Sequence, residues 1–320
     1  MLIPVLLLIT GLIILIFGAN YMVEGASALA KKFNISNLAI GLTVVAFGTS
    51  APELVVNTFA AFQGHQDIVF GNVLGSNNFN LFIILGITGL IVPLAVQSST
   101  AWKEIPISFL AVVILYFLVN DNLLFGSETS VLGQMDGLVL LVFFGLFLFY
   151  VYKQLKSDPT ETEIKVPHLS NLMIGIYIIG GLGGLVYGGH LVVNNAVELA
   201  QFFGISEKII GLTVVAAGTS LPELATSLVA ALKKNADIAV GNIIGSNIFN
   251  IFLILGVSSI LKPIEFDPGF NIDLYILAGG TIFLFLAMFI GNPKRIDSWQ
   301  AAVKLFFYLG YMTYLVMGEL

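Results

Sequence analysis

One stretch of this sequence occurs twice, and each copy places a carboxylate among apolar residues. Residues 41–54 read GLTVVAFGTSAPEL and residues 211–224 read GLTVVAAGTSLPEL. The carboxylates are Glu53 and Glu223. An ionisable side chain at membrane depth is costly unless it is paired, protonated or facing water, and its default interpretation is a functional site. The repeated stretch therefore predicts a membrane protein with two related halves and a polar site in each.

The duplication extends beyond this motif. Residues 67–81 (DIVFGNVLGSNNFNL) correspond to residues 237–251 (DIAVGNIIGSNIFNI), and the offset of 170 positions is the same for both motifs. A constant offset over two motifs indicates a duplicated unit, and both copies are expected to fold alike.

The composition indicates that the solvent is a lipid bilayer. The chain is 58% apolar and 10% charged, with a mean hydropathy of +0.98. A helix needs about 20 apolar residues to cross a hydrocarbon core of about 30 Å. Ten runs satisfy or approach this length, and they predict an all-α integral membrane protein with ten transmembrane helices, near residues 2–31, 37–62, 68–92, 105–119, 133–153, 171–200, 208–232, 238–260, 273–291 and 299–318.

The distribution of basic residues predicts the orientation. With both termini outside, only Lys208 and Lys262 fall in outside loops. Positive charge is favoured on the cytoplasmic side. Because five helices per repeat is an odd number, the second repeat enters from the opposite face, which predicts inverted topology. Lys304 lies just inside the last helix, and the other basic residues fall in inside loops: Lys31, Lys32, Lys103, Lys153, Lys156, Lys165, Lys233, Lys234, Lys294 and Arg295.

This topology divides the chain into three parts in the cell inner (plasma) membrane. Residues 1–154 form the first five-helix repeat, residues 155–170 a short cytoplasmic linker, and residues 171–320 the second, inverted repeat. The stretch 154–168 (QLKSDPTETEIKVPH) has the Pro and polar content of a solvated linker. Since no Lys or Arg precedes Lys31, the first apolar run lacks the basic start of a signal peptide and is expected to be a membrane helix.

Several function classes lack their usual sequence features. The chain has no cysteine, and its net charge of −6 without basic clusters makes nucleic acid an unexpected partner. It contains no HExxH, no Cys/His cluster and no GxxxxGK[ST] motif. We therefore expect no enzymatic activity and no cofactor, and the sequence indicates no protein partner.

The residues of the GTSxPE motif suit a hard cation. Pro52 lacks an N–H and is expected to kink its helix. If the segment stays near-helical, Thr49, Ser50 and Glu53 share one face. A carboxylate, two hydroxyls and free carbonyls form an all-oxygen set of the kind that Ca²⁺ prefers. The second copy repeats the set with Thr219, Ser220, Pro222 and Glu223.

The GNxxGSNxxN motif adds amide and hydroxyl oxygens. Asn72, Ser76 and Asn80 are spaced by four residues and form a polar stripe on an apolar helix, as do Asn242, Ser246 and Asn250 in the second copy. Amide and hydroxyl oxygens ligate Na⁺ or Ca²⁺ without adding charge. Interhelical hydrogen bonding is the alternative interpretation, and it applies above all to Asn72, Asn77, Asn242 and Asn247.

These two motifs and their duplication resemble the repeats of the cation/calcium exchanger superfamily, specifically its prokaryotic sodium/calcium exchanger-type members. The resemblance covers essentially the whole chain, and it implies a central site of four ion positions. It implies that Glu53 and Glu223 are shared ligands of Ca²⁺ and Na⁺. By the same resemblance, Thr49, Thr219, Ala46 and Ala216 contribute carbonyls, and the other ligands are Ser50, Ser76, Ser220, Ser246, Asn80 and Asn250.

One position departs from the pattern of many relatives. Many relatives carry aspartate at the position of Asn250, and the potassium-dependent branch resembles that aspartate pattern. The site then has two carboxylates instead of three. This departure argues against potassium cotransport, and it leaves stoichiometry and affinity open because affinity follows ligand charge.

The sequence therefore predicts a secondary antiporter that exchanges Na⁺ for Ca²⁺, with both ions as substrates and the bilayer as surroundings. A proton/divalent-cation antiporter using the same glutamates is an alternative, and a passive cation channel or a membrane scaffold is an alternative from another class. The first and sixth apolar runs are long and rich in glycine, including Gly18 and Gly181, which favours sliding of these helices. Glu24, near the inner end of the first run, predicts an interfacial or cavity-lining role.

Overall fold

The computed structural model describes residues 2–120, 130–154, 169–203, 216–292 and 294–319. The first half of the chain is helical from its second residue. Its helices are α1 (Leu2–Phe33), α2 (Asn37–Thr49), α3 (Ala51–Gln63), α4 (Gln66–Ile91), α5 (Thr100–Val119) and α6 (Gln134–Gln154).

The second half repeats this order. A helical turn at Ala216–Gly218 precedes α8, and a 3₁₀ turn at Pro268–Phe270 precedes α10. The helices of this half are α7 (Asn171–Phe202), α8 (Leu221–Leu232), α9 (Ala236–Leu261), α10 (Asn271–Ala287) and α11 (Ser298–Glu319).

Four strands of two residues each add to the all-α architecture that the sequence predicts. Strand β1 (Leu94–Ala95) pairs antiparallel with β4 (Arg295–Ile296), and β2 (Val131–Leu132) pairs antiparallel with β3 (Ile264–Glu265). Each pair joins a strand of one half to a strand of the other, so the loops of the two halves are tied together.

Within the described residues, seven helices are long and apolar enough to cross a membrane, or eight if α2 and α3 count as one bent span. This is the multi-pass membrane architecture that the composition predicts. The predicted run at 208–232 is described only from residue 216, so its start lies outside the described residues, as does the predicted linker from residue 155 to 168.

The two helices that carry the GNxxGSN motifs form the centre of the molecule. The apolar windows of α4 and α9 are 67% and 83% buried, whereas those of α1 and α7 are 28% buried. The polar stripes on α4 and α9 are therefore enclosed by protein instead of lipid.

The GTSxPE motif breaks its helix, as the proline predicts. Helices α2 and α3 meet at Ser50, which has φ −86° and ψ 4°, and they are bent by 47°. Ser220 has nearly the same conformation, with φ −89° and ψ 6°, directly before α8. The proline is tolerated because it falls in the first turn of the following helix, where no N–H is needed.

The prediction that Thr49, Ser50 and Glu53 share one face was made for a near-helical segment, and helical hydrogen bonds continue on both sides of the bend, from the N–H of Ser50 to Ala46 and from that of Leu54 to Ser50. Thr49 donates to Asn242 and Ser50 donates to Glu223, both in the second half of the chain. The GTSxPE residues of one half therefore act across the interface between the halves.

Asn80 and Asn250 both lie in π-helical segments, Phe79–Ile84 of α4 and Phe249–Leu255 of α9. A π-helical turn redirects the side chains that follow it and is frequent at functional sites. The structure thus places a backbone irregularity at the same motif position in both halves.

Helices α1 and α7 run antiparallel in close contact. A Cβ added at Gly18 would lie 2.7 Å from the backbone nitrogen of Leu185, and one added at Gly181 would lie 2.6 Å from that of Met22. Only glycine permits this approach of two backbones. The small residues predicted to give a smooth surface are therefore at the contact between these two helices.

Candidate functional site

The two repeated glutamates lie in the first turns of α3 and α8, and each is 1% exposed. The Glu223 Oε1 atom accepts a hydrogen bond from the hydroxyl of Ser50 at 2.9 Å and a longer one from that of Ser246 at 3.4 Å. Ser50 belongs to the other half of the chain. The structure therefore builds the surroundings of Glu223 from both halves.

Glu53 is the less satisfied of the two carboxylates. Within the described residues, neither of its oxygens has a hydrogen-bond donor, and the Oε2 atom of Glu223 also has none. The two carboxylates are close enough for their charges to interact. Buried carboxylate oxygens without donors are strongly unfavourable unless a proton or a cation compensates them.

Four asparagines form a reciprocal network between α4 and α9. The side-chain amide of Asn80 donates to Oδ1 of Asn247 at 3.0 Å, and that of Asn250 donates to Oδ1 of Asn77 at 2.9 Å. The Nδ2 atoms of Asn80 and Asn250 are engaged, and their Oδ1 atoms have no donor in the described structure. The network thus fixes the side chains so that oxygen is the atom available to a ligand.

The threonines of the first motif also cross between the halves. Thr49 donates to Oδ1 of Asn242 at 3.0 Å, and Thr219 donates to Oδ1 of Asn72 at 3.1 Å. The predicted interhelical role of these asparagines is therefore present. Ser76 lies within 3.5 Å of the same Asn72 oxygen, in hydrogen-bonding geometry.

The oxygens that remain without partners are suited to a hard cation. Ser220 Oγ is buried and has no hydrogen-bond partner among the described residues. With it, the described site holds six such oxygens, the others being Glu53 Oε1, Glu53 Oε2, Glu223 Oε2, Asn80 Oδ1 and Asn250 Oδ1. Ca²⁺ takes six to eight oxygen ligands, and carboxylate, amide and hydroxyl oxygens are its usual ones.

Most of the predicted ligand residues are buried in this central region. Thr219 is partly exposed, and Ala216 contributes the first residue of its helical turn. The residues that are fully or nearly fully buried are Ala46, Thr49, Ser50, Glu53, Ser76, Asn80, Ser220, Glu223, Ser246 and Asn250. Which of them bind an ion stays a prediction.

Two supporting residues were not singled out from the sequence. The side chain of Asn57 donates to the main-chain carbonyl of Glu53 at 2.7 Å, and Ser227 accepts from Asn242 at 2.9 Å. Asn57 and Ser227 are related by the repeat offset of 170 positions. A polar residue at both equivalent positions of an apolar helix was the signal that could have identified them.

The sequence matches a known family in both of its halves. The family is described as "Sodium/calcium exchanger protein", and its profile matches residues 3–153 and, separately, residues 173–317. These matches follow the division of the chain into two repeated units and cover nearly all of it.

Individual relatives match over the full length. The chain is 39% identical to "Putative antiporter CaxA" of Alkalimonas amylolytica over 97% of this chain and 98% of the relative. It is 31% identical to "Sodium/calcium exchanger MaX1" of Methanosarcina acetivorans over 97% of both chains. Among solved structures, the sodium–calcium exchanger NCX_Mj, soaked with 10 mM Na⁺ and zero Ca²⁺, superimposes with a TM-score of 0.82 at 32% identity and 98% coverage of both chains. With the motifs, the fold and the full-length relatives in agreement, this chain belongs to the sodium/calcium exchanger family, among its prokaryotic-type members.

Proposed function

We propose that this protein is a secondary antiporter that exchanges Na⁺ for Ca²⁺ by alternating access, and that it normally expels Ca²⁺ on the sodium gradient. The observation that carries the proposal is the set of six buried oxygens without donors, three of them from Glu53 and Glu223. Support also comes from NCX_Mj, whose crystals were soaked with Na⁺ and with Sr²⁺ or Ca²⁺.

In this proposal the two glutamates are shared ligands of both ions. The side chains of Asn80 and Asn250 supply amide oxygens near the centre, since their amide nitrogens are held by Asn247 and Asn77. The hydroxyl and main-chain oxygens come from Ser50, Ser76, Ser220, Ser246, Thr49, Thr219, Ala46 and Ala216.

Competition at shared carboxylates couples the two fluxes. One Ca²⁺ or two Na⁺ neutralise the charge of −2 that the glutamates carry. A third Na⁺, which the family resemblance implies, leaves a charge of +1 that experiences about 2.3 kcal/mol per 100 mV of membrane potential. Two unneutralised carboxylates in the protein interior oppose the crossing step, so the carrier returns only when it is loaded.

The same proposal includes ten membrane spans in two inverted five-helix repeats. The repeat-equivalent helices α1 and α7 pack antiparallel, as inverted copies must. Counting α2 and α3 as one bent span gives eight spans, and helices α8 and α11 bring the number to ten. The domain boundaries are residues 1–154 and 171–320, with the linker 155–170 between them.

We place the protein in the plasma membrane with both termini outside and the linker in the cytoplasm, because the loop charges favour that orientation. The activity is transport without an enzymatic reaction, and it requires no cofactor. Na⁺ and Ca²⁺ are substrates that bind and leave.

A proton/divalent-cation antiporter is the second candidate. Within the described residues, neither Glu53 nor Glu223 forms an ion pair with a lysine or arginine. Protons could therefore replace Na⁺ as the ions that compensate the carboxylates when Ca²⁺ leaves.

One experiment separates the two candidates. Purified protein is reconstituted in proteoliposomes loaded with Na⁺, with K⁺, or at a pH different from that outside, and ⁴⁵Ca²⁺ uptake is measured. Uptake that depends on internal Na⁺ supports Na⁺/Ca²⁺ exchange. Uptake driven only by the pH gradient contradicts it and supports the proton alternative.

A further inference from the structure

Lys304 is a buried basic residue outside the site described above. It lies on α11, six residues after the helix begins, and it is 1% exposed. No carboxylate lies within ion-pair distance of its ammonium in the part of the chain that the structure describes. A lysine near the end of a membrane helix normally extends its charge to the interface, so a fully buried one at this position calls for a functional explanation.

Aromatic rings hold the ammonium. The Nζ atom lies 5.5 Å from the centre of the Phe82 ring and 5.4 Å from that of Phe283, distances typical of cation–π contacts. Gly280 makes room for this arrangement, since a Cβ at that position would lie 2.3 Å from Cζ of Phe82. The amino group is therefore held in the interior instead of being free to reorient toward water.

Among the described residues, the hydrogen bond of the Lys304 amino group ends one residue from Asn80. Nζ donates to the main-chain carbonyl of Leu81 at 3.4 Å, and Leu81 follows Asn80 in the π-helical segment. In that segment the N–H of Leu85 donates to the carbonyl of Asn80, five residues back. Where α-helical bonding resumes after such a turn, one main-chain carbonyl has no N–H donor within the helix. Lys304 donates to the carbonyl of Leu81, which directly follows that of Asn80. The lysine thus stabilises the irregular backbone that carries Asn80.

The repeat provides no counterpart to this charge. In the last helix of each half the offset is 164, because Gly137 packs against Gly256 as Ala301 packs against Gly86, and the position equivalent to Lys304 is therefore Leu140, which is buried and uncharged. The fixed charge therefore lies behind Asn80 and not behind Asn250, and it makes the two halves of an otherwise repeated site electrically different.

We propose that Lys304 is a specificity-determining residue that weakens binding of divalent cations more than binding of monovalent cations. The inference rests on the proposed function, because it concerns ions at the same site. The repulsion between a fixed charge and an ion is proportional to the charge of the ion, so Ca²⁺ experiences twice the repulsion of Na⁺ at the same position. Ion for ion, the ammonium therefore lowers the affinity for Ca²⁺ more than that for Na⁺.

The test measures Ca²⁺ and Na⁺ binding to the purified protein by calorimetry for the wild type, Lys304→Met and Lys304→Arg. Met keeps the length of the side chain without its charge, and Arg keeps the charge. For Lys304→Met we expect the Kd for Ca²⁺ to fall about tenfold and that for Na⁺ about threefold, the ratio that a twofold difference in ion charge requires. Lys304→Arg and the repeat-matched control Leu140→Met should stay close to the wild type.

Equal changes for both ions, or an unchanged Kd for each in a folded Lys304→Met protein, would overturn the inference. If Lys304→Met does not fold, Asn80→Asp and Asn250→Asp provide the second measurement. The new carboxylate at position 80 lies nearer the ammonium, so Asn80→Asp should increase Ca²⁺ affinity less than Asn250→Asp. Equal gains would contradict the role of Lys304. Failure of Na⁺-driven Ca²⁺ uptake by the wild type would instead overturn the proposed function. The binding measurement does not depend on transport, so the two failures can be distinguished.

Discussion

Asn77 and Asn247 each donate a side-chain hydrogen bond to the main-chain carbonyl of the other, at 3.3 Å in both directions. The two residues are equivalent positions of the two motifs, 170 residues apart. They join the central helices α4 and α9 at the same level as Asn80 and Asn250. This reciprocal pair relates the two halves of the site to each other and keeps their asparagine oxygens in equivalent positions.

The first prediction concerns this pair. Asn77→Ala removes the bond to Asn247 and leaves the amide of Asn250 without its acceptor. Interhelical hydrogen bonds in membrane proteins contribute about 0.6 to 1.7 kcal/mol, so the melting temperature in detergent should fall. Asn247→Ala removes the reciprocal bond and the acceptor of Asn80, so it should lower the melting temperature by a similar amount. An unchanged melting temperature of either variant in scanning fluorimetry would contradict the prediction.

Glu53→Gln and Glu223→Gln should each abolish exchange while the protein stays folded. The amide keeps the shape of the side chain but removes the charge that compensates a divalent ion. The measurement is Na⁺-dependent ⁴⁵Ca²⁺ uptake, with the melting temperature as a check of folding. Glu265→Gln, at an exposed position of β3, is the matched control and should transport normally. Wild-type flux in either site variant would refute the assignment of these glutamates.

Asn250→Asp should increase Ca²⁺ affinity at the expense of stability. It adds a third carboxylate to the site, and cation affinity rises with ligand charge. It also replaces the amide that donates to Asn77 by an oxygen, so two acceptors then face each other. Calorimetry should give a lower Kd for Ca²⁺. Transport should become sensitive to K⁺ or be inhibited at neutral pH. An unchanged affinity, potassium response and pH profile would place Asn250 outside the ion site.

Cysteines introduced on α1 and α7 should change their accessibility between Na⁺ and Ca²⁺ conditions. The two helices pack through glycines at backbone distance, as at Gly18 and Gly181, and this surface has few side chains to obstruct sliding. The chain has no native cysteine, so thiol labelling reads each new position alone. Cysteines on α5, α6, α10 and α11 should change much less. Similar changes on all of these helices would rule out sliding, although the antiporter assignment would remain.

An ion pair connects α1 to the end of α8 and should bias this movement. Lys233 lies 2.8 Å from Glu24, and its Nζ also donates to the carbonyl of Asn20. At the equivalent positions of the repeat, Asn194 and Gln63 cannot form an ion pair. Glu24→Gln should therefore favour the access state in which α1 has moved, by about 1 kcal/mol or less because the pair is partly exposed.

The same cysteine labelling measures this shift. Lys233→Gln should have the same effect as Glu24→Gln, and the charge-swapped double variant Glu24→Lys with Lys233→Glu should restore the original accessibility. Unchanged accessibility in both single variants would mean that the pair does not contribute to the balance between states.

Much of the fold was predictable because the repeat and the apolar runs are local properties of the chain. The lengths of the apolar runs predict the helices, and the proline two positions after Ser50 predicts the break found at that residue. Burial of Glu53 follows from its apolar neighbours in sequence. The prediction that Thr49, Ser50 and Glu53 share one face assumed a near-helical segment, and it stays a prediction because the helix bends by 47° at Ser50.

The sequence by itself determined which residues are equivalent in the two halves and which of them are polar inside apolar helices. Only the tertiary structure decided which of these residues meet: Ser50 donates to Glu223 of the other half, and Asn80 donates to Asn247. It also decided that Lys304 points inward to the carbonyl of Leu81. The physical reason is that periodicity fixes neighbours within a helix. Contacts between helices depend instead on how two distant segments pack, and that packing is set by glycine approaches and hydrogen bonds across the whole chain.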